Sequence, residues 1–272
     1  MPEQVARLYS EETGSGDPVV LLHGWAMNLR VFDALRAELE AHHRVIAVDL
    51  PGHGRSAWPR DHSYARQLEL LGAMLPPGAT VIGWSLGGQL AMALAAATRY
   101  AVRRLVLIAS TPRFVAAPGW PHGLRPATLE RFAEALELDA DGTVLDFLQL
   151  QVRGSRHAEE TIRTLRAALR GHGSAQPEAL RAGLALLRAN DLRELARTLQ
   201  VPTLLIAGQY DRVTLPAAAQ ALAALIPQAQ LCELPRAGHA PFLSHRHEVS
   251  DALRHFLSVR QPVAHPAGAA RV

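Results

Sequence analysis

Between an apolar run, Ala79 to Ile82, and an alanine-rich run, Gln89 to Thr98, lies Gly83-Trp84-Ser85-Leu86-Gly87. A buried strand must turn into a helix across those few residues. Gly83 and Gly87 fit the turn because larger side chains would collide where strand and helix backbones approach closely. The arrangement is strand, tight turn and helix with a serine at the apex, which lifts a hydroxyl above a sheet edge where it can act as a nucleophile.

The rest of the chain repeats the same alternation. Val19 to Leu22, Arg44 to Val48, Ala79 to Ile82, Arg103 to Ile108, Pro202 to Ala207 and Gln230 to Leu234 are short apolar runs, most ending in turn formers. They read as buried parallel strands. Helical patterns separate them at Leu29 to Ala41, Tyr64 to Leu75, Leu86 to Thr98, Pro216 to Ile226 and Arg246 to Val259. Strand alternating with helix predicts an α/β fold, a mostly parallel, doubly wound sheet with helices on both faces. Val5 to Ser10 is expected to add an edge strand, turning back through Gly14-Ser15-Gly16-Asp17. From Arg113 to Gln200 no strand-like run occurs and amphipathic helical patterns dominate. Residues 113–199 therefore read as an inserted helical cap on a core of residues 1–112 and 200–260. Residues 261–272, rich in proline and small residues, read as a flexible tail.

Composition narrows the function classes. All 28 residues counted as Lys+Arg are arginine, which excludes a Schiff-base lysine or a phosphate-loop lysine. A net charge of +3, with no basic run interleaved with aromatics, argues against nucleic-acid binding. The single cysteine, Cys232, rules out a disulfide framework and a cysteine-based zinc cluster. Met1 to Glu12 lacks the apolar core of a secretory signal, and no apolar stretch could span a bilayer. The expectation is a cytoplasmic protein.

A serine hydroxyl needs a base within hydrogen-bond reach and a third group to orient that base. His239, in Gly238-His239-Ala240-Pro241-Phe242, follows a strand run and precedes the last helix, so it belongs on a loop at the C-terminal edge of the sheet. Asp211, in Gly208-Gln209-Tyr210-Asp211, follows the run Pro202 to Ala207 and belongs on the same edge. Ser85, Asp211 and His239 are the expected catalytic residues. His23, Asp49 and Ser85 form a rival set, but their order belongs to paired β-barrels, not to an alternating chain. Asp49 is instead expected to hold its loop in shape. The amides of Leu86 and Trp25 are the expected oxyanion donors, Trp25 being placed by the turn at His23-Gly24.

Taken together, Leu22-His23-Gly24-Trp25-Ala26-Met27-Asn28, Val48 to Ser56, Gly83 to Gly88, Ala109-Ser110-Thr111-Pro112 and His239 to His245 resemble the α/β-hydrolase superfamily over almost the whole chain. Within it they are similar to the pimeloyl-[acyl-carrier protein] methyl ester esterases of biotin synthesis. That resemblance implies a serine carboxylesterase, expected to be a monomer, that frees a carrier-bound pimeloyl chain of its methyl group and uses neither metal nor cofactor. It implies substrate contacts at Trp25, Ser85, Leu86, His239 and the cap segment Phe147-Leu148-Gln149-Leu150-Gln151, with Phe147 lining the acyl channel. The partner implied is an acidic acyl carrier protein. On a helical wheel of about 100° per residue, Arg156, Arg163, Arg166 and Arg170 share one face that could receive it, with Glu159 placed to pair with Arg163. The chain departs from the family pattern in having acidic Asp146 beside Phe147, and Arg246 where proline is expected. Small esters are also expected substrates. A general esterase, lactonase or carbon–carbon bond hydrolase is an alternative reading, and a non-catalytic binding protein is a more distant one.

Overall fold

The computed structural model describes residues 7–259; the expected tail at 261–272 lies outside the described residues. Seven strands form one sheet in the order β1-β3-β2-β4-β5-β6-β7. They are β1 (Ser10–Thr13), β2 (Asp17–Leu22), β3 (His43–Val48), β4 (Thr80–Trp84), β5 (Arg104–Ile108), β6 (Thr203–Gly208) and β7 (Ala229–Leu234). Only β1 runs antiparallel, pairing Ser10 with Val48 and Thr13 with Val45. All other pairings are parallel. The expected edge strand is displaced toward the C-terminus: Val5 and Ala6 are outside the described residues, residues 7–9 are not strand, and the strand begins at Ser10. Its Glu11 and Glu12 face arginines of the neighbouring elements, Arg36 at 3.0 Å and Arg44 at 2.6 Å, so backbone pairing with β3, flanked by charge pairs rather than an apolar run, makes this edge.

The inner strands are largely apolar because the sheet is covered on both sides. Side chains alternate across a pleated strand, and Val20, Leu22, Ile46, Val48, Val81 and Leu107 enter one core while Val19, Leu21, Val45, Ala47, Ile82 and Ile108 enter the other. The helices of the sheet layers are α1 (Asp33–Leu39), α2 (Tyr64–Gly72), α3 (Leu86–Ala96), α9 (Pro216–Leu225) and α11 (Arg246–Ser258), with the short α10 (Pro241–Ser244) before the last. A 3₁₀ turn at Leu29–Phe32, capped by Asn28, precedes α1, which is why the helical pattern there begins early.

Between β5 and β6 the chain forms α4 (Pro126–Leu138), α5 (Ala140–Val152), α6 (Ala158–His172), α7 (Pro177–Ala189) and α8 (Arg193–Arg197). The segment from α4 to α7 covers the C-terminal edge of the sheet, whereas α8 packs against α3 and α9. Arg156 precedes α6: Gly154 at φ +77° and His157 at φ +59° break the chain before Ala158, so the helical wheel does not extend back to it. No helix among the described residues is long and apolar enough to cross a membrane.

Candidate active site

The order β3-β2-β4 makes the chain leave β2 in opposite directions, and in such sheets ligands bind beyond the C-terminal ends of the strands near that switch. Ser85 follows β4 at this point. It is held at φ +57°, ψ −117°, a conformation that is costly for a residue with a side chain. Close packing enforces it. A Cβ on Gly83 would lie 2.4 Å from Gly87 O, one on Gly87 2.2 Å from Leu22 O, and one on Gly24 3.2 Å from Ser85 Cβ. Ser85 N–H donates to Ile108 O at 3.0 Å, and Ser110 Oγ donates to Ser85 O at 2.8 Å.

Asp211 follows β6, and His239 lies between β7 and α10. The Ser85 hydroxyl donates to His239 Nε2 at 2.9 Å. His239 Nδ1–H donates to Asp211 Oδ2 at 2.8 Å. All three are buried, with exposures of 2, 0 and 3 % for Ser85, His239 and Asp211. Asp211 is itself fixed: Oδ1 accepts the amides of Val213 at 2.7 Å and Thr214 at 2.9 Å, and Oδ2 accepts the Thr214 hydroxyl at 2.6 Å. Two further contacts clamp the histidine backbone. Its N–H donates to Gln151 O of α5 at 2.9 Å, and its C=O accepts the Trp84 indole N–H at 2.7 Å. Such an array can draw a proton from a hydroxyl, hold it on an imidazole oriented by a carboxylate, and return it to a leaving group.

The rival pair is engaged elsewhere. His23 Nε2 accepts the Leu50 amide at 2.9 Å, and Asp49 accepts the amides of Leu29 and Arg55 at 2.8 and 2.9 Å and a hydrogen bond from His172 Nε2 at 2.8 Å. Neither is bonded to Ser85. Leu86 N–H and Trp25 N–H have no hydrogen-bond acceptor among the described residues. The Trp25 indole donates to Leu180 O of α7 at 2.9 Å, and Gly183 lets that helix approach, since a Cβ there would stand 2.5 Å from Trp25 Cδ1.

Of the cap segment, Phe147 and Gln151 meet this site. The Phe147 ring stands edge-on to Trp25 with centroids 5.0 Å apart, and the buried Gln151 amide has no hydrogen-bond partner among the described residues. Leu148 is buried in the second core, and Gln149 and Leu150 turn to a groove of about 790 Å³ on the outer side of α5. Asp146, Arg153, Glu159, Ile162 and Arg166 also line that groove. Arg163 and Arg170 are exposed on α6, and no ion pair joins Glu159 to Arg163 among the described residues. Thr214 and the indole of Trp84 are additions to the expected site. The Asp211-x-x-Thr214 spacing, typical of a side-chain-closed turn, is the one local signal for the first.

The profile of the alpha/beta hydrolase fold family matches residues 17–246. A pimeloyl-[acyl-carrier protein] methyl ester esterase of Stenotrophomonas maltophilia (strain K279a) is 46% identical over 257 residues, 94% of this chain and 98% of that protein. A protein of the same name from Xylella fastidiosa (strain M12) is 41% identical over 254 residues, covering 92% and 99%. Among solved structures, an esterase from Exiguobacterium antarcticum superposes with a TM-score of 0.82 at 24% identity, covering 93% of this chain and 96% of that one.

Proposed function

Because the chain belongs to the alpha/beta hydrolase fold family and, within it, to the pimeloyl-[acyl-carrier protein] methyl ester esterases, we propose that it is the serine carboxylesterase that hydrolyses this methyl ester in biotin synthesis. The observation that carries the reading is the buried relay of Ser85 Oγ to His239 Nε2 at 2.9 Å and His239 Nδ1 to Asp211 Oδ2 at 2.8 Å.

In this reading Ser85 Oγ attacks the ester carbonyl carbon as its proton passes to His239 Nε2. The tetrahedral oxyanion is held by the amides of Trp25 and Leu86, and Asp211 stabilises the imidazolium without taking the proton. Collapse breaks the bond to the methoxy oxygen, which leaves as methanol with the proton from Nε2. A water then gives a proton to Nε2, attacks the acyl carbon and releases the free carboxylate, and Ser85 is reprotonated. Phe147 bounds the acyl chain, and the free amide of Gln151 supplies a donor and an acceptor to the substrate's polar groups. Carrier carboxylates meet Arg163, Arg166 and Arg170 on α6, with Arg156 in the preceding turn. The enzyme acts as a cytoplasmic monomer.

The test is turnover of a pimeloyl-carrier methyl ester against simple methyl and p-nitrophenyl esters. Preference for the carrier-linked ester, with Ser85→Ala lowering kcat about a millionfold, is expected. Equal or better turnover of simple esters would favour a general esterase or lactonase of the same fold. A native chain that fails to react with a fluorophosphonate would point to a binding protein.

A further inference from the structure

Thirteen histidines are present, and one that the catalytic relay does not use lies at its edge. His23 is fully buried, and both ring nitrogens are committed to the backbone. Nε2 accepts the Leu50 amide at 2.9 Å, so it carries no proton. Nδ1 then carries it and donates to Gly24 O at 2.8 Å, an acceptor that also receives Met27 N–H at 3.3 Å. The carbonyl of the Gly24–Trp25 peptide is thus held on one side. That peptide is trans, as are all peptide bonds among the described residues, so its N–H, which belongs to Trp25, must point the opposite way. Gly24 also packs directly against Ser85: a Cβ there would stand 3.2 Å from Ser85 Cβ.

We propose that His23 is a positioning residue for the oxyanion site: in its Nδ1–H tautomer it grips Gly24 C=O and thereby aims the Trp25 N–H at the atom on which negative charge develops. The inference rests on the esterase reading, in which Trp25 N–H is one of the two donors. An amide left to rotate would give up part of its interaction with an oxyanion, and preorganisation is what makes such donors effective.

The support for His23 extends outward to the cap. Asp49, directly before Leu50, is fixed by the amides of Leu29 and Arg55 and by His172 at the C-terminal end of α6. Asn28 Nδ2 bonds Ala168 O at 3.0 Å and Gly173 O at 2.9 Å, tying the same helix end to the loop after β2. The titratable groups around His23 are His53, with ring centroids 5.3 Å apart, and the Asp49–His172 pair behind Leu50. Burial, reinforced by His53, holds His23 well below the usual imidazole range, so the neutral ring that this hydrogen-bond pattern requires is the form present.

Two substitutions separate the two ring nitrogens. His23→Asn keeps an N–H near the Nδ1 position and abandons Leu50; His23→Gln keeps an acceptor near the Nε2 position and abandons Gly24. With p-nitrophenyl butyrate as substrate, the glutamine variant should lose about ten- to a hundredfold in kcat with KM nearly unchanged, somewhat less than loss of a whole oxyanion donor. The asparagine variant should recover most of that loss. Unchanged kcat in H23Q, or equal losses in both variants, overturns the proposal. Should either variant fail to fold, ¹⁵N shifts of His23 in the native chain decide: a protonated Nδ1 with a bare Nε2 at neutral pH supports it, and the opposite tautomer or an imidazolium overturns it. A native chain with no activity on the ester would overturn the esterase reading instead, and the tautomer measurement separates the two failures.

Discussion

Replacing Asp211 by asparagine changes one atom, and the surrounding hydrogen bonds dictate how the new side chain must sit. The Oδ1 position faces two amide donors, Val213 and Thr214, at 2.7 and 2.9 Å, so the carboxamide oxygen must occupy it. The NH₂ group is thereby forced into the Oδ2 position, 2.8 Å from His239 Nδ1. A donor there requires Nδ1 to become an acceptor, which moves the imidazole proton to Nε2 and points it at Ser85 Oγ. Thr214 reinforces the switch: its hydroxyl loses the carboxylate acceptor and lies 3.5 Å from the newly bare Nδ1. The base can no longer accept the serine proton, so Asp211→Asn should lower kcat about ten-thousandfold, or about 5 kcal/mol in activation free energy. The melting temperature should change little, because both amide bonds to Oδ1 survive. Steady-state kinetics on a p-nitrophenyl ester and ¹⁵N shifts of His239 make the assay. A variant that retains a tenth of native kcat, or whose His239 keeps its proton on Nδ1, would refute the reasoning.

Three further outcomes are expected. Trp84→Phe removes the donor to the buried His239 carbonyl and should lower unfolding free energy by about 1–3 kcal/mol while also reducing kcat; an unchanged denaturation midpoint contradicts this. Gly87→Ala sets a Cβ 2.2 Å from Leu22 O and 2.5 Å from His23 O, both backbone atoms that cannot swing away, so the variant should be destabilised by at least about 1–3 kcal/mol and be nearly inactive; a soluble, fully active Gly87→Ala enzyme would show that the elbow is looser than its packing indicates. Burial holds the pKa of His23 and His53 below the usual value of 6.5. The unfolded chain therefore binds protons at these positions before the folded one does, and stability is full above pH 6.5 and falls as pH drops below it toward the folded-state values. Melting temperature should decline across that range before carboxylates titrate, and a flat profile between about pH 6.5 and 5 would sink the argument.

Those features of the fold that rest on burial alone are legible in the sequence. Strands β2 to β6 are covered on both faces, so burial demands apolar residues at successive positions and the runs stand out. Ser85, Asp211 and His239 can be picked out for the same reason, each lying just beyond a strand end. Strand β1 escapes because it pairs on one side only and is flanked by charge pairs, leaving Ser10-Glu11-Glu12-Thr13 with no hydrophobic period. What supports Ser85, Asp211 and His239 is illegible for a different cause. Trp84 and His239 are 155 residues apart, and His172 and Asp49 123 apart; such pairs depend on where distant parts of the chain are brought together, which no local period encodes. The arginine face fails at one end because a glycine and a left-handed histidine interrupt the helix, and a wheel drawn on spacing cannot register a break in the backbone.

The cap's bearing on the chemistry lies in how His239 is held. Its carbonyl is bound by Trp84 of the core, but its amide is bound by Gln151 O of α5, and Gly238 is pressed so closely there that a Cβ would lie 2.5 Å from the same oxygen. The helix that sets Phe147 against Trp25 and lines the outer groove with Leu150 thus also fixes the backbone of His239. Displacing α5 would free one of the two anchors of His239 and disturb its 2.9 Å contact with Ser85. Mutations that loosen the cap should therefore reduce kcat even on a small ester that never reaches α6. A cap that served only to select substrates would leave that kcat intact, so the response of small-ester turnover to cap mutations tells the two roles apart.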